Sequence, residues 1–305
     1  MSFSVTILGC SGALPALGRF PSSQYLVVGR HKFLVDCGEG AQMQLMKLGI
    51  GVQKIDCIFI SHLHGDHYLG LPGLLFSMHL QRRTADLHIY AFAGLEEILL
   101  PIFRHANSTL HYNIVFHRLQ PEASGIIFDS DQLSVTTLPL THKIACTGFV
   151  FREKPKNRRI NKELLPKGML LQHIALLLRG EDVRGSAGEM LFENRAYTLP
   201  PRPSVTYAYL SDTRYEPALA EQLQGVKVLY HEATFMEQER EKAIETRHST
   251  AREAALMALQ AGVTQLLVGH FSARYRDLQP LLAEARDIFP NTHLAEELQT
   301  FTLAE

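Results

Sequence analysis

Cys57-Ile58-Phe59-Ile60-Ser61-His62-Leu63-His64-Gly65-Asp66-His67 decides how this chain is read. Ile58-Phe59-Ile60 has no polar face, which predicts a short strand buried on both sides of a sheet. The turn after it carries three histidines and one carboxylate within six residues. Gly65 is placed for a tight bend, so His62, His64, Asp66 and His67 are expected on one loop. Imidazole suits Zn²⁺ and its neighbours, and a carboxylate can act as ligand or base. Surface loops also collect His and Asp without purpose. Four such residues in the pattern His-x-His-x-Asp-His, directly after an apolar strand, point instead to a metal. One loop rarely closes a metal site, so the rest of the chain must supply further ligands.

The 305 residues suffice for one large α/β domain or two small ones. A hydrophobic content of 46% and a charged content of 20% exclude wholesale disorder. The net charge of −1 offers no global attraction for nucleic acid, so any basic patch must be local. Fifteen histidines support a metal without placing it. Cys10, Cys37, Cys57 and Cys146 show no paired spacing. With no secretory leader, reduced thiols and a cytoplasmic location are expected. No apolar run approaches the about 18 residues that span a bilayer.

Elsewhere apolar runs repeatedly end in a candidate ligand. Gln24–Val28 and Lys32–Asp36 read as a hairpin, followed by Asp36-Cys37-Gly38-Glu39-Gly40 and a helix near Gln42–Leu48. Gly9-Cys10-Ser11-Gly12 reads as a plain turn. Pro72 suits the first turn of the next helix. Leu133–Leu138 is an expected strand leading to His142, Val205–Leu210 leads to Asp212, and Gln265–Val268 leads to His270. Val226–Tyr230 leads to His231-Glu232. His248 stands just ahead of a helix whose start, Thr250-Ala251-Arg252-Glu253, has capping-box form. Between them Arg152–Lys167 is densely basic, with Lys154, Lys156, Arg158, Arg159 and Lys167. The excursion extends to about Thr198. A solvated linker can look like this, but a basic arm near a metal centre can hold a polyanion.

Strand exits gather on one edge of an α/β sheet, so ligands distant in sequence can converge there. Divided between two ions with Asp212 as bridge, His62, His64 and His142 serve one metal. Asp66, His67 and His270 serve the other. Two ions ~3.5–4 Å apart can acidify a shared water and neutralise a developing oxyanion, as phosphodiester hydrolysis needs. Asp66 can orient or deprotonate that water. His248 is the best remaining proton donor, and Glu232 can fix its tautomer. The other reading of Glu232 is a charge near a helix start.

These residues resemble the metallo-β-lactamase superfamily. More narrowly, Asp36-Cys37-Gly38-Glu39-Gly40, Ser211-Asp212-Thr213-Arg214, His231-Glu232-Ala233-Thr234-Phe235, His248-Ser249-Thr250 and His270-Phe271-Ser272-Ala273-Arg274-Tyr275 resemble short-form tRNase Z (ribonuclease Z). The resemblance runs through nearly the whole chain in order. It implies one domain over residues 1–305, an αβ/βα four-layer sandwich, with a protruding basic tRNA-binding arm inserted at about 152–198. It also implies two Zn²⁺ per subunit (Mn²⁺ or Co²⁺ being possible), endonucleolytic removal of the 3′ trailer of precursor tRNA, and a homodimer. Where the family carries a glycine-proline motif at the arm tip, this chain reads Leu165-Pro166-Lys167-Gly168-Met169-Leu170. A small-molecule phosphodiesterase or sulfatase of the same fold would share the metals but not need the arm. A non-catalytic RNA-binding protein would not need His248 with a full ligand set.

Overall fold

The computed structural model describes residues 2–304. Its strands in chain order are β1 (Phe3–Gly9), β2 (Ser23–Val28), β3 (His31–Cys37), β4 (Cys57–Phe59), β5 (Leu87–Ala91) and β6 (Ile114–Arg118). Next come β7 (Ile126–Asp129), β8 (Leu133–Leu140), β9 (Cys146–Glu153), β10 (Arg159–Ile160), β11 (Val183–Arg184), β12 (Met190–Phe192) and β13 (Thr198–Leu199). The last are β14 (Thr206–Leu210), β15 (Val228–Glu232), β16 (Gln265–Gly269), β17 (Thr292–Leu294) and β18 (Thr300–Ala304).

The first large sheet has the order β18-β1-β2-β3-β4-β5-β6, antiparallel as far as β3 and parallel from β3 to β6. The second has the order β17-β16-β15-β14-β9-β8-β7, with β14 to β17 parallel and β9 antiparallel to β14. Phe33, Val35, Cys57 and Phe59 point into the core shared by the two sheets. There the ring centroid of Phe33 lies 5.8 Å from that of Phe151, and Phe59 lies 5.4 Å from Phe149. Leu34, Ile58 and Ile60 point the other way, into a second core with Leu45, Leu71, Leu74 and Leu75. Both faces of β4 are dry, so its sequence has no polar position. Helices Ala251–Ala261 and Gln279–Arg286 cover the outer side of the second sheet. The result is an αβ/βα sandwich of four layers.

Residues 153–204 form a second compact unit. Within it β10 pairs with β13 and β11 with β12, both antiparallel. Helix Leu171–Arg179 buries Leu177 and ends at Gly180, whose φ of +93° suits glycine. The sequence gives little sign of this helix, because its apolar run is short and the flanking charges read as linker. The unit continues past Thr198 to Ser204. Arg159 Nε donates to the Pro200 carbonyl at 3.0 Å, and Ser204 Oγ donates to the Lys154 carbonyl at 3.1 Å.

Other differences from the sequence reading have local causes. β8 runs through Pro139, which lies beyond the residues paired with β7 and owes that strand no N–H. β15 continues through His231 and Glu232. Asp66 and His67 sit on a one-turn helix, Gly65–Tyr68, rather than on the loop, and Gly65 does not adopt the left-handed φ of a tight bend. Edge strand β7 was not expected. Among the described residues, no helix is long and apolar enough to cross a membrane.

Candidate metal centre

Strand ends deliver the side chains. Asp212 lies two residues past β14, Glu232 ends β15, and His270 follows β16 directly. His62 and His64 follow β4, and His142 follows β8. All seven side chains expected at the metals meet here in two groups that share Asp212. In the first, His62 Nε2 is 3.1 Å from His64 Nδ1 and 3.6 Å from Asp212 Oδ2, while His142 Nε2 is 3.2 Å from His64 Nδ1. In the second, Asp66 Oδ2 is 3.4 Å from both His67 Nε2 and His270 Nε2, and Asp212 Oδ1 is 3.1 Å from His270 Nε2.

Partners behind the rings decide which nitrogen carries the proton. His67 Nδ1 lies 2.7 Å from Asp36 Oδ2, and His142 Nδ1 lies 3.0 Å from the Arg247 carbonyl. Both acceptors require Nδ1–H. Thr234 Oγ1 donates to Glu232 Oε2 at 2.6 Å and therefore accepts from His270 Nδ1 at 2.8 Å. Ser61 Oγ donates to Asp36 Oδ2 at 2.9 Å and accepts from His62 Nδ1 at 3.1 Å. Each arrangement turns an Nε2 lone pair inward. His67 Nε2, His270 Nε2 and Asp212 Oδ1 are buried there without a hydrogen-bond partner. Acceptors facing acceptors at such distances repel one another unless a cation lies between them. Imidazole nitrogens with two carboxylates are a fitting donor set for a divalent ion such as zinc.

The electrostatics differ between the two clusters. Burial lowers the pKa of His62, His64 and His142, favouring neutral rings. Burial works against protonation of His67 too, but Asp212, Asp66 and Asp36 raise it well above the usual histidine range. For Asp66 burial is outweighed by His67 and His270, and for Asp212 by His270, His67 and His62; both stay well below the carboxylate range. The second cluster is built to hold positive charge.

His248 and Glu232 stand beside the clusters. His248 Nδ1 is 2.8 Å from Glu232 Oε1, and buried Glu232 also accepts from the backbone N–H groups of Thr213 and Thr234 at 3.0 Å each. Burial opposes charge on His248, but the Glu232 carboxylate and Asp212 push it up to about 9. Positive charge in the neighbouring clusters would act in the opposite direction. Burial resists ionisation of Glu232, and His248 brings its pKa below the usual value. The Thr250–Glu253 capping box is formed and fixes the segment after His248. Glu232 is the last residue of a strand, which removes its reading as a helix-start charge. His64, Asp66, His142, Asp212, His248 and His270 all line one open cleft of about 420 Å³.

Three contributors escaped the sequence reading. Asp36 is buried, with a left-handed φ of 54°, and accepts from Ser61 N at 2.8 Å, Tyr209 Oη at 2.6 Å and His67. Its signal was available, since it too follows an apolar strand run, Phe33–Val35. The turn after β1 supplies Ala13 N–H to Asp66 Oδ2 at 2.7 Å, and a Cβ on Gly12 would meet the His270 ring at 2.7 Å. Thr234 links Glu232 to His270, and nothing in its sequence context announces this. Asp36→Asn keeps the size but swaps an acceptor oxygen for a donor. It is expected to weaken divalent-ion binding about 10–100-fold in a metal titration.

Comparisons with known proteins fit this geometry. The chain is 44% identical over 296 residues to ribonuclease Z of Bacteroides fragilis strain YCH46, covering 97% of each chain. It is 40% identical over 305 residues to ribonuclease Z of Cytophaga hutchinsonii, covering all of this chain and 97% of that one. The chain belongs to the ribonuclease Z family. The crystal structure of the short form of human tRNase Z superimposes with a TM-score of 0.73 at 27% identity, covering 99% of this chain and all of that one. The metallo-β-lactamase fold protein YhfI of Bacillus subtilis shares the fold, with a TM-score of 0.69 at 20% identity over 99% of this chain and all of that one. Residues 3–154 also match the family described as Anti-Pycsar protein Apyc1. The ribonuclease Z relationship extends through His248 and His270, well beyond that segment.

Proposed function

We infer that this chain is a zinc-dependent endoribonuclease that removes the 3′ trailer of precursor tRNA and leaves a 3′-hydroxyl. The carrying observation is the pair of inward-facing donor clusters joined at Asp212 beside an oriented His248, in a chain similar throughout to ribonucleases Z. His62, His64, His142 and Asp212 would hold one ion, and Asp66, His67, His270 and Asp212 the other. Bound there, the ions would supply Lewis acidity toward the phosphoryl oxygens and lower the pKa of water. Asp66, held by the Ala13 amide, orients the attacking water and can take its proton. His248, whose Nδ1–H is held by Glu232, faces the departing 3′ oxygen with Nε2 and as the imidazolium donates its Nε2 proton there, leaving the neutral Nδ1–H ring. The deciding experiment compares zinc-loaded enzyme on precursor tRNA and on an aryl phosphodiester. Cleavage of the aryl ester alone would favour a small-molecule phosphodiesterase.

Residues 153–204 are proposed as the tRNA-binding arm of an otherwise single domain over 1–305. Its cations divide into two groups. Lys156 pairs with Glu153 at 2.8 Å, and Arg158 Nε donates to Thr198 Oγ1 at 2.7 Å, so both brace the unit itself. Lys154 is half-buried, whereas Lys162 and Lys167 are exposed and Arg159 is exposed with its Nε engaged by Pro200, and these three are better placed for phosphates. Replacing those three by alanine is expected to raise KM for precursor tRNA. It should also reduce the slope of log affinity against log salt by about 0.9 per lost phosphate contact. An unchanged slope would make this run a solvated face. A cytoplasmic homodimer completes the reading, with exposed Met43, Met46 and Leu80 as apolar surface for a second copy to cover.

A further inference from the structure

Arg247 directly precedes His248 and meets one partner twice. Its Nη1 donates to the His142 carbonyl at 2.6 Å, while its own carbonyl accepts the Nδ1 proton of His142 at 3.0 Å. The two bonds close a ring between the segment carrying the proton donor and the loop carrying a first-cluster histidine. The backbone at Arg247 is left-handed, with φ 58°, at the C-terminal cap of helix Arg240–Thr246. Glycine is the residue favoured at such a cap, and a side chain there works against the local conformation. The residue is exposed, so core packing does not require it. Its guanidinium is used for the clasp.

We propose that Arg247 is a positioning residue: it locks the His248 segment to His142, so that the proton donor faces the leaving oxygen. The other tethers of this segment lie elsewhere. His248 N–H donates to the Ala243 carbonyl at 2.8 Å, Ser249 Oγ donates to the Thr213 carbonyl at 2.7 Å, and Thr250 caps its helix. Arg247 ties the segment to the first cluster, where the His248 and His142 ring centroids are 5.0 Å apart. The inference rests on His248 being the proton donor.

That dependence sets the test. An RNA 3′-alkoxide leaves poorly without a proton, whereas 4-nitrophenolate leaves without one. Zinc-loaded Arg247→Gly, Arg247→Ala and Arg247→Lys would be assayed on precursor tRNA and bis(4-nitrophenyl) phosphate, with His248→Ala as control. Zinc affinity and Tm are measured alongside. The expected result is that Arg247→Ala and Arg247→Gly lose kcat on RNA at least about tenfold more than on the aryl ester. Zinc affinity and KM for RNA should be retained. Arg247→Lys, which keeps one donor, should recover part of the loss. Arg247→Gly should melt no lower than wild type, since it suits the left-handed backbone. Equal losses on both substrates, weakened zinc binding, or an effect on KM alone would each overturn the proposal. Should His248→Ala also lack leaving-group dependence, the proton-donor reading falls with it. If His248→Ala shows that dependence and the Arg247 variants do not, the Arg247 role alone is lost.

Discussion

Asp212→Ala will lose most of its bound metal and nearly all hydrolysis of precursor tRNA. Asp212 is the residue shared by the first two clusters, with Oδ2 3.6 Å from His62 Nε2 and Oδ1 3.1 Å from His270 Nε2. Without it, the first cluster is three imidazoles with no anion, and the second retains only Asp66 against two histidines. Metal ions supply several kcal/mol of transition-state stabilisation. At about 1.4 kcal/mol per tenfold, the loss should reach at least about 10³-fold. Metal analysis after gel filtration, with activity measured on the same sample, checks both halves. Full occupancy at both clusters in this variant would sink the bridging role. Asp212→Asn separates charge from shape: it keeps an acceptor oxygen but removes the negative charge that faces five histidines.

The sequence exposed this centre because ligand chemistry and strand exits coincide. Asp212 and His270 follow apolar runs on parallel strands, which place such exits on one edge, while His142 follows the alternating strand β8. What it hid was the layer behind. Asp36 follows the apolar run Phe33–Val35, but its role depends on Tyr209 and Ser61, 173 and 25 residues away. Thr234 and Ala13 contribute one hydroxyl and one amide, groups present in every loop and informative only once a partner is in place. The internal structure of residues 153–204 was hidden for another reason. Its strands of two or three residues and its short helices rest on local pairing, and its basic composition resembles a linker. That composition also drew attention to Lys156 and Arg158, whose side chains the unit engages internally through Glu153 and Thr198.

His248→Ala tests the remaining part of the proposed chemistry, because it removes the proposed proton donor and leaves both principal clusters intact. The ring stands 2.8 Å from Glu232, outside the first two clusters, stacked on His270 at 5.4 Å and tilted against His142 at 5.0 Å between ring centroids. A third possible ligand group, Glu232, His248 and His270, sits at the same place. It competes with the proton-donor role: if it held an ion, His248→Ala would cost metal as well as rate. The hydrogen bonding argues against this. Both Glu232 oxygens are already engaged, Oε1 by His248 and Thr213 N–H, and Oε2 by Thr234. Inserting an ion would break those bonds in a fully buried carboxylate. His248→Ala is therefore expected to keep the metal content of the unsubstituted chain and to lose about 10²–10⁴-fold in kcat on precursor tRNA, the usual range for general acid catalysis. KM should change little. Glu232→Gln should follow in the same direction with a smaller loss, since the ring is retained but its tautomer is no longer enforced. Loss of metal in His248→Ala would reassign the histidine as a ligand, and unchanged kcat would leave the departing oxygen without its proton source.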